Sequence, residues 1–208
     1  MSSNNRTQIL EDAYSLMAKL WCSPPEDDVR RAKIRKDAKE VVKRLESVDK
    51  ESAMALSKFL EEDTISEEDY IDLFELDPRC PLYLGSHTYE EPKTCATAAV
   101  SDRNEYMIEL VAIYNHFGQK LDGAELPDYL PLMVDFLALT AESSDDPVRI
   151  KLCNEYLLPF LPPMRSRLGD LETPYLHLLD ALERVISVEL NTQPLSAQRA
   201  QQAESHVG

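Results

Sequence analysis

The chain has 208 residues, with 22 basic and 38 acidic side chains, a formal charge of −16 and a pI near 4.6. Such acidity repels phosphate backbones, which disfavours general nucleic-acid binding, and it attracts cationic partners. Only five glycines occur among abundant Leu, Ala, Glu and Lys, a composition that points to helices, and the length suits one domain with its own core.

The opening segment, MSSNNRTQILEDAYSL, lacks a cationic stretch leading into an apolar one and is not read as a secretory signal. A helix is predicted over 7–21, where Leu10, Ala13, Tyr14, Met17, Leu20 and Trp21 share one face. CSPPEDD then breaks it, and Ser23 followed by Pro24 suits the start of a second helix over 24–47. That helix is charged, with eight basic and two acidic residues over 30–44 and a narrow apolar stripe of Val29, Ala38, Val41, Val42 and Leu45. Asp27–Arg31 and Glu40–Arg44 are spaced as ion pairs, and the run reads as a solvated helix face.

A third helix is predicted over 49–62, with Met54, Leu56, Phe59 and Leu60 inward. Ser66 and Asp69 form a capping box that opens a short helix through Leu76, with Tyr70, Leu73 and Phe74 inward. From Glu61 to Glu91 there are eleven acidic residues and one basic, Arg79. A long helix over 94–117 buries Tyr106, Met107, Leu110, Val111, Tyr114 and Phe117 and ends at Gly118. Leu130, Met133, Val134 and Leu137 mark the next helix, and Ser144 to Pro147 begins another that Pro162 and Pro163 break. Thr173 caps a final helix with Pro174 at its first position and Leu176, Leu179, Leu182, Val185, Ile186 and Leu190 on its apolar face. The expectation is an all-α, single-domain bundle of eight or nine helices over 1–190, with a disordered tail over 191–208.

No apolar run approaches the ~18–20 residues that span a bilayer. The cysteines at 22, 80, 95 and 153 are scattered, which suits free thiols in a reducing cytoplasm. Cys80, His87 and Cys95 could serve a small metal-dependent enzyme. Their spacing, with six and then seven residues between them and no fourth ligand, departs from that of structural zinc sites. No nucleophile elbow, metalloprotease, P-loop or dinucleotide motif is present, so neither catalysis nor a resident metal or cofactor is expected. His116 lies near a helix C-terminus, where an imidazolium suits the dipole.

Two loops combine prolines, aromatics and acids. CPLYLGSHTYEEP holds Tyr83, Leu84, His87, Tyr89, Glu90 and Glu91, and ELPDYLP holds Glu125, Pro127, Asp128, Tyr129 and Pro131. Prolines lower the entropy lost on binding, tyrosines offer amphipathic contact area, and carboxylates pair with arginine. The same residues also suit well-packed helix connectors, and the two readings stand level.

At these residues the chain resembles the cytoplasmic chaperones of complex molybdenum enzymes, the nitrate reductase delta subunits and twin-arginine leader-binding proteins of TorD/DmsD/NarJ type. The resemblance rests on YSLMAKLWCSPPED, on YIDLFELDPRCPLYLGSHTYEEP and, most specifically, on YNHFGQKLDGAELPDYLPLMVDFLAL. It places Glu125, Pro127, Asp128, Leu130 and Pro131 on the family signature. Tyr129 stands where many relatives have histidine, so a role needing a titrating imidazole there is not implied.

The resemblance implies an all-helical protein without catalytic residues. Such a protein binds the N-terminal leader of a molybdenum-containing catalytic subunit and assists insertion of the molybdopterin cofactor before export. A permanent structural subunit of the oxidoreductase is the alternative role. The apo catalytic subunit is the expected partner, and the chaperone itself is a monomer or dimer.

Overall fold

The computed structural model describes residues 3–62, 65–89 and 101–191. Its elements are α1 (Ser3–Leu20), α2 (Asp28–Leu45), α3 (Lys50–Glu62), α4 (Glu67–Phe74), α5 (Asp102–His116), α6 (Leu130–Leu139), α7 (Pro147–Lys151), α8 (Leu161–Asp170) and α9 (Tyr175–Glu189). A π-helical segment at Leu152–Leu157 and a 3-10 turn at Leu158–Phe160 join α7 to α8 as one distorted rod. Counting that rod once, the described residues hold eight helical rods, within the expected number, and their one β-bridge joins Tyr83 to Tyr129. No helix among the described residues is long and apolar enough to cross a membrane.

Helix α9 is the centre of the bundle because its apolar residues recur on more than one face. Tyr175, Leu178, Leu179, Ala181, Leu182, Val185 and Ile186 are all buried, and the helix packs on α3, α8 and α1. Helix α1 lies on α6, whose LPLMVDFLAL run is buried on most sides. An aromatic cluster closes one end, with Tyr175 4.7 Å from Phe74, 5.3 Å from Phe59 and 5.4 Å from Trp21. At the other end Arg149 is fully buried. Its Nε donates to Glu189 Oε1 at 2.9 Å, its Nη1 contacts Thr140 Oγ1, and Tyr14 Oη donates to Glu189 Oε2 at 2.6 Å. A buried cation is tolerable only with its charge and donors matched in this way.

Several local expectations are met in atomic detail. Ser66 and Asp69 form the full capping box, and Gly118 follows α5 with φ of +72°. His116 pairs at 3.1 Å with Asp146, which caps α7, so its role joins two helix ends.

Other expectations are corrected. Helix α2 begins at Asp28 with Asp27 as its cap, because Pro24 and Pro25 leave the chain extended beyond Ser23. The Asp27–Arg31 and Glu40–Arg44 pairs do not form. Asp27 is spent on the Val29 amide, Arg31 on the Pro25 carbonyl, and Arg44 on Asp12 of α1. Met54 and Val29 are exposed rather than inward, and on α5 Ile113 is buried where Val111 is not. Pro162 and Pro163 do not break the rod, since they occupy the first turn of α8, where missing amides cost nothing. The distortion falls earlier, where Pro159 cannot donate and the backbone loosens into π and then 3-10 geometry. Thr173 makes no capping bond, and its hydroxyl has no partner among the described residues. The start of the long helix over 94–100 and the tail over 192–208 lie outside the described residues.

Candidate functional site

The two proline-rich loops meet. Leu84 N donates to Asp128 O at 3.1 Å and Leu130 N donates to Leu82 O at 2.9 Å, which forms the antiparallel bridge between Tyr83 and Tyr129. Their rings lie 5.3 Å apart, and Tyr83 Oη donates to Glu125 Oε2 at 2.6 Å. What the sequence presents as two walls is one stitched unit.

Its inner side is structural. Leu84, Pro127, Asp128, Leu130 and Pro131 are buried. Asp128 Oδ2 accepts the Gly85 amide at 2.9 Å, and Tyr114 Oη donates to the Pro127 carbonyl at 2.6 Å. Burial pushes the Asp128 carboxyl above its ordinary range, against the opposing pull of the Gly85 amide and of the Arg103 charge. Gly85, Tyr106, Tyr114 and Arg103 are therefore part of the site, although the sequence reading did not single them out as such. The glycine is the one signal that was available, because a Cβ at 85 would stand 2.8 Å from Asp128 Oδ2.

The outer side carries Tyr83 and Tyr129, both partly exposed, with Glu125 exposed beside them, whereas the partly exposed His87 faces α8, beside Pro163 and Arg167. His87 Nε2 is 2.7 Å from the Pro81 carbonyl. Burial depresses its pKa, the Pro81 bond opposes this, and the Arg167 charge depresses it further. The Cys80 thiol is buried and pushed up to about 12. Among the described residues no group of three candidate ligands converges, and Cys95 lies outside them. Glu90 and Glu91 also lie outside the described residues.

Tyr89 turns away from the bridge into a separate cleft of about 330 Å³. Its floor is a stack in which Tyr106 lies 4.3 Å from Phe160 and 6.0 Å from Tyr156, with Tyr89 5.8 Å from Tyr106. The Tyr156 carbonyl, within the π-helical segment, accepts from Tyr106 Oη at 2.9 Å. Asp102, Glu105, Glu109 and Glu155 line its walls. One cation is already present, with Lys151 Nζ 5.2 Å from the Tyr156 ring centroid and 3.1 Å from Glu109. Aromatic faces framed by carboxylates attract ammonium and guanidinium groups.

A model of the nitrate reductase delta subunit family matches residues 43–166, more than half of the chain. The chain is similar to the probable nitrate reductase molybdenum cofactor assembly chaperone NarW of Escherichia coli (strain K12), at 30% identity over 130 residues, covering 62% of this chain and 51% of that protein. It is similar to the nitrate reductase molybdenum cofactor assembly chaperone NarJ of the same strain, at 27% identity over 169 residues, covering 79% of this chain and 66% of that protein. The chain thus spans between about half and two thirds of the length of these relatives. The matched residues include both stitched loops and the helices that hold them, and the chain belongs to the nitrate reductase delta subunit family.

Proposed function

We propose that this chain is a dedicated cytoplasmic assembly chaperone for the catalytic subunit of a molybdenum oxidoreductase. It binds the arginine-bearing N-terminal leader of the apo subunit and keeps that subunit competent for molybdopterin cofactor insertion before export. The cofactor is the client's cargo, and no residue of this chain is assigned to hold it.

The observation that carries this reading is the stitched loop unit inside a family of assembly chaperones. A rigid patch of Tyr83 and Tyr129 beside Glu125 presents aromatic faces with a carboxylate, and the separate acid-walled cleft at Tyr89 offers the same chemistry. A cationic segment with apolar residues is the ligand this chemistry favours. The buried members, Leu84, Pro127, Asp128 and Pro131, fix the loop geometry, so little ordering entropy is lost on binding. Release follows from competition, because leader and chaperone bind each other only while the client remains unfolded and unloaded.

The test begins with affinity capture from the native cell to identify the large co-purifying subunit. Its N-terminal peptide is then titrated calorimetrically against the full chain. Binding is expected, and Tyr83→Ala and Glu125→Lys should each weaken it by about tenfold while leaving the helical circular-dichroism spectrum unchanged. A peptide that does not bind the unaltered protein overturns the reading.

A further inference from the structure

Helix α2 runs against the charge of the rest of the molecule. It holds eight of the chain's 22 basic residues and three acidic ones, in a protein of net charge −16. It is also thinly seated, with only Ala38 and Leu45 buried, both toward its C-terminal end. Between α2 and its antiparallel neighbour α1 lies an open cleft of about 520 Å³.

Leu16, Ile34 and Val41 form the apolar floor of this cleft. Lys19, Arg30, Lys33 and Arg44 stand around it, against Asp12 and Asp37. Asp12 is neutralised by its ion pair with Arg44, whereas Lys19, Arg30 and Lys33 make no ion pair among the described residues. Ile34 also borders a second cleft on the far side of α2, beside Leu60 and Tyr175, so the N-terminal half of the helix is poorly covered from either flank. Val29, one turn before Lys33, is 77% exposed.

An apolar floor between two antiparallel helices accommodates a third helix laid along the groove. From Arg30 to Arg44 the groove is roughly 21 Å long, about four helical turns. The cationic rim selects carboxylates on the flanks of whatever lies there. A bare polyanion would satisfy the rim and leave the floor uncovered. The chain's own residues 192–208 have leucine or valine only at Leu195 and Val207, too few for an apolar face of that length. We propose that the α1–α2 groove is a second docking site, separate from the stitched loops, that takes an acidic amphipathic helix from a partner protein. On the function proposed above, one surface then receives the cationic leader while the opposite-signed surface holds an acidic helical segment of the same client.

The probe is a fluorescently labelled synthetic peptide of about four helical turns, with leucines on one face and glutamates elsewhere. A matched peptide with lysines in place of the glutamates is the control. Anisotropy titration of the full-length protein should show binding of the glutamate peptide and not of the lysine peptide. Affinity should fall about tenfold in the Arg30→Glu/Lys33→Glu variant, whose altered side chains are exposed, and also in Ile34→Asp, with the helical spectrum retained. Glutamate-peptide binding that is insensitive to both variants overturns the proposal. So does equal displacement of the peptide by a DNA oligonucleotide, which would make the groove a simple polyanion site. A protein that sediments as a dimer without peptide, and as a monomer once Arg30 and Lys33 are reversed, would assign the groove to a second copy instead.

Discussion

The Gly85 amide donates to Asp128 Oδ2 at 2.9 Å across 43 residues of sequence, and a Cβ on residue 85 would stand only 2.8 Å from the same oxygen. This contact and the Tyr83–Tyr129 bridge hold the two loops together. Gly85→Ala must displace the carboxylate or the loop, at a cost of about 1–3 kcal/mol. Asp128→Ala leaves the buried Gly85 amide without its acceptor, at a similar cost of about 1–3 kcal/mol. Urea unfolding followed by circular dichroism measures both, and Asp128→Asn, which keeps an acceptor oxygen, should be milder than Asp128→Ala.

Asp128 also makes stability depend on pH in a specific direction. Burial raises its pKa above the ordinary 3.8, and its Oδ1 has no partner among the described residues. A carboxyl with a raised folded-state pKa binds its proton more tightly in the native state. Its contribution is fully present below the unfolded value and is lost as pH rises through the folded one. Relative to the unaltered protein, Asp128→Asn should therefore gain stability as pH climbs above 3.8. Paired urea titrations across that range test this, and parallel pH profiles for the two proteins would contradict it.

The Arg149–Glu189 pair ties α7 to α9 in the core, with the two side chains only 1% and 4% exposed. Removing one partner strands a buried charge, so Arg149→Ala or Glu189→Ala should cost about 3–5 kcal/mol. A double replacement by Met at both positions removes both charges at once and should be far less destabilising than the sum of the two single changes. A double-mutant cycle in urea reads the coupling directly.

How much of this was legible in the sequence follows from how local each feature is. The Ser66–Asp69 box and the Gly118 terminus depend on residues within one turn and were readable from spacing alone. The ion pairs assigned to α2 were not, because Arg44 finds Asp12 on α1 and Arg31 finds the Pro25 carbonyl, partners that no intrahelical spacing reveals. The prolines at 162 and 163 were misread as a break because proline at a helix start and proline that ends a helix look alike without the register. In the site, composition identified both loops. Their pairing, the burial of Asp128 and the cleft behind Tyr89 depend on contacts far apart in sequence, such as Gly85 with Asp128 across 43 residues and Tyr106 with Tyr156 across 50.

His87 supplies the last prediction. Its imidazole is part-buried against the Pro81 carbonyl at 2.7 Å, with burial the main influence lowering its pKa below 6.5 and Arg167 adding to it. In the folded protein the ring therefore stays neutral at pH values where it would already be protonated in the unfolded chain. The sign of the linkage is opposite to that of Asp128: the contribution is present above pH 6.5 and is lost as pH falls through the folded value. Proton NMR titration of the His87 ring should give a midpoint below 6.5. His87→Gln should remove part of the stability loss between pH 6.5 and the folded midpoint. A midpoint above 6.5 would instead mean that the fold favours the protonated ring, and the stability dependence on pH would reverse.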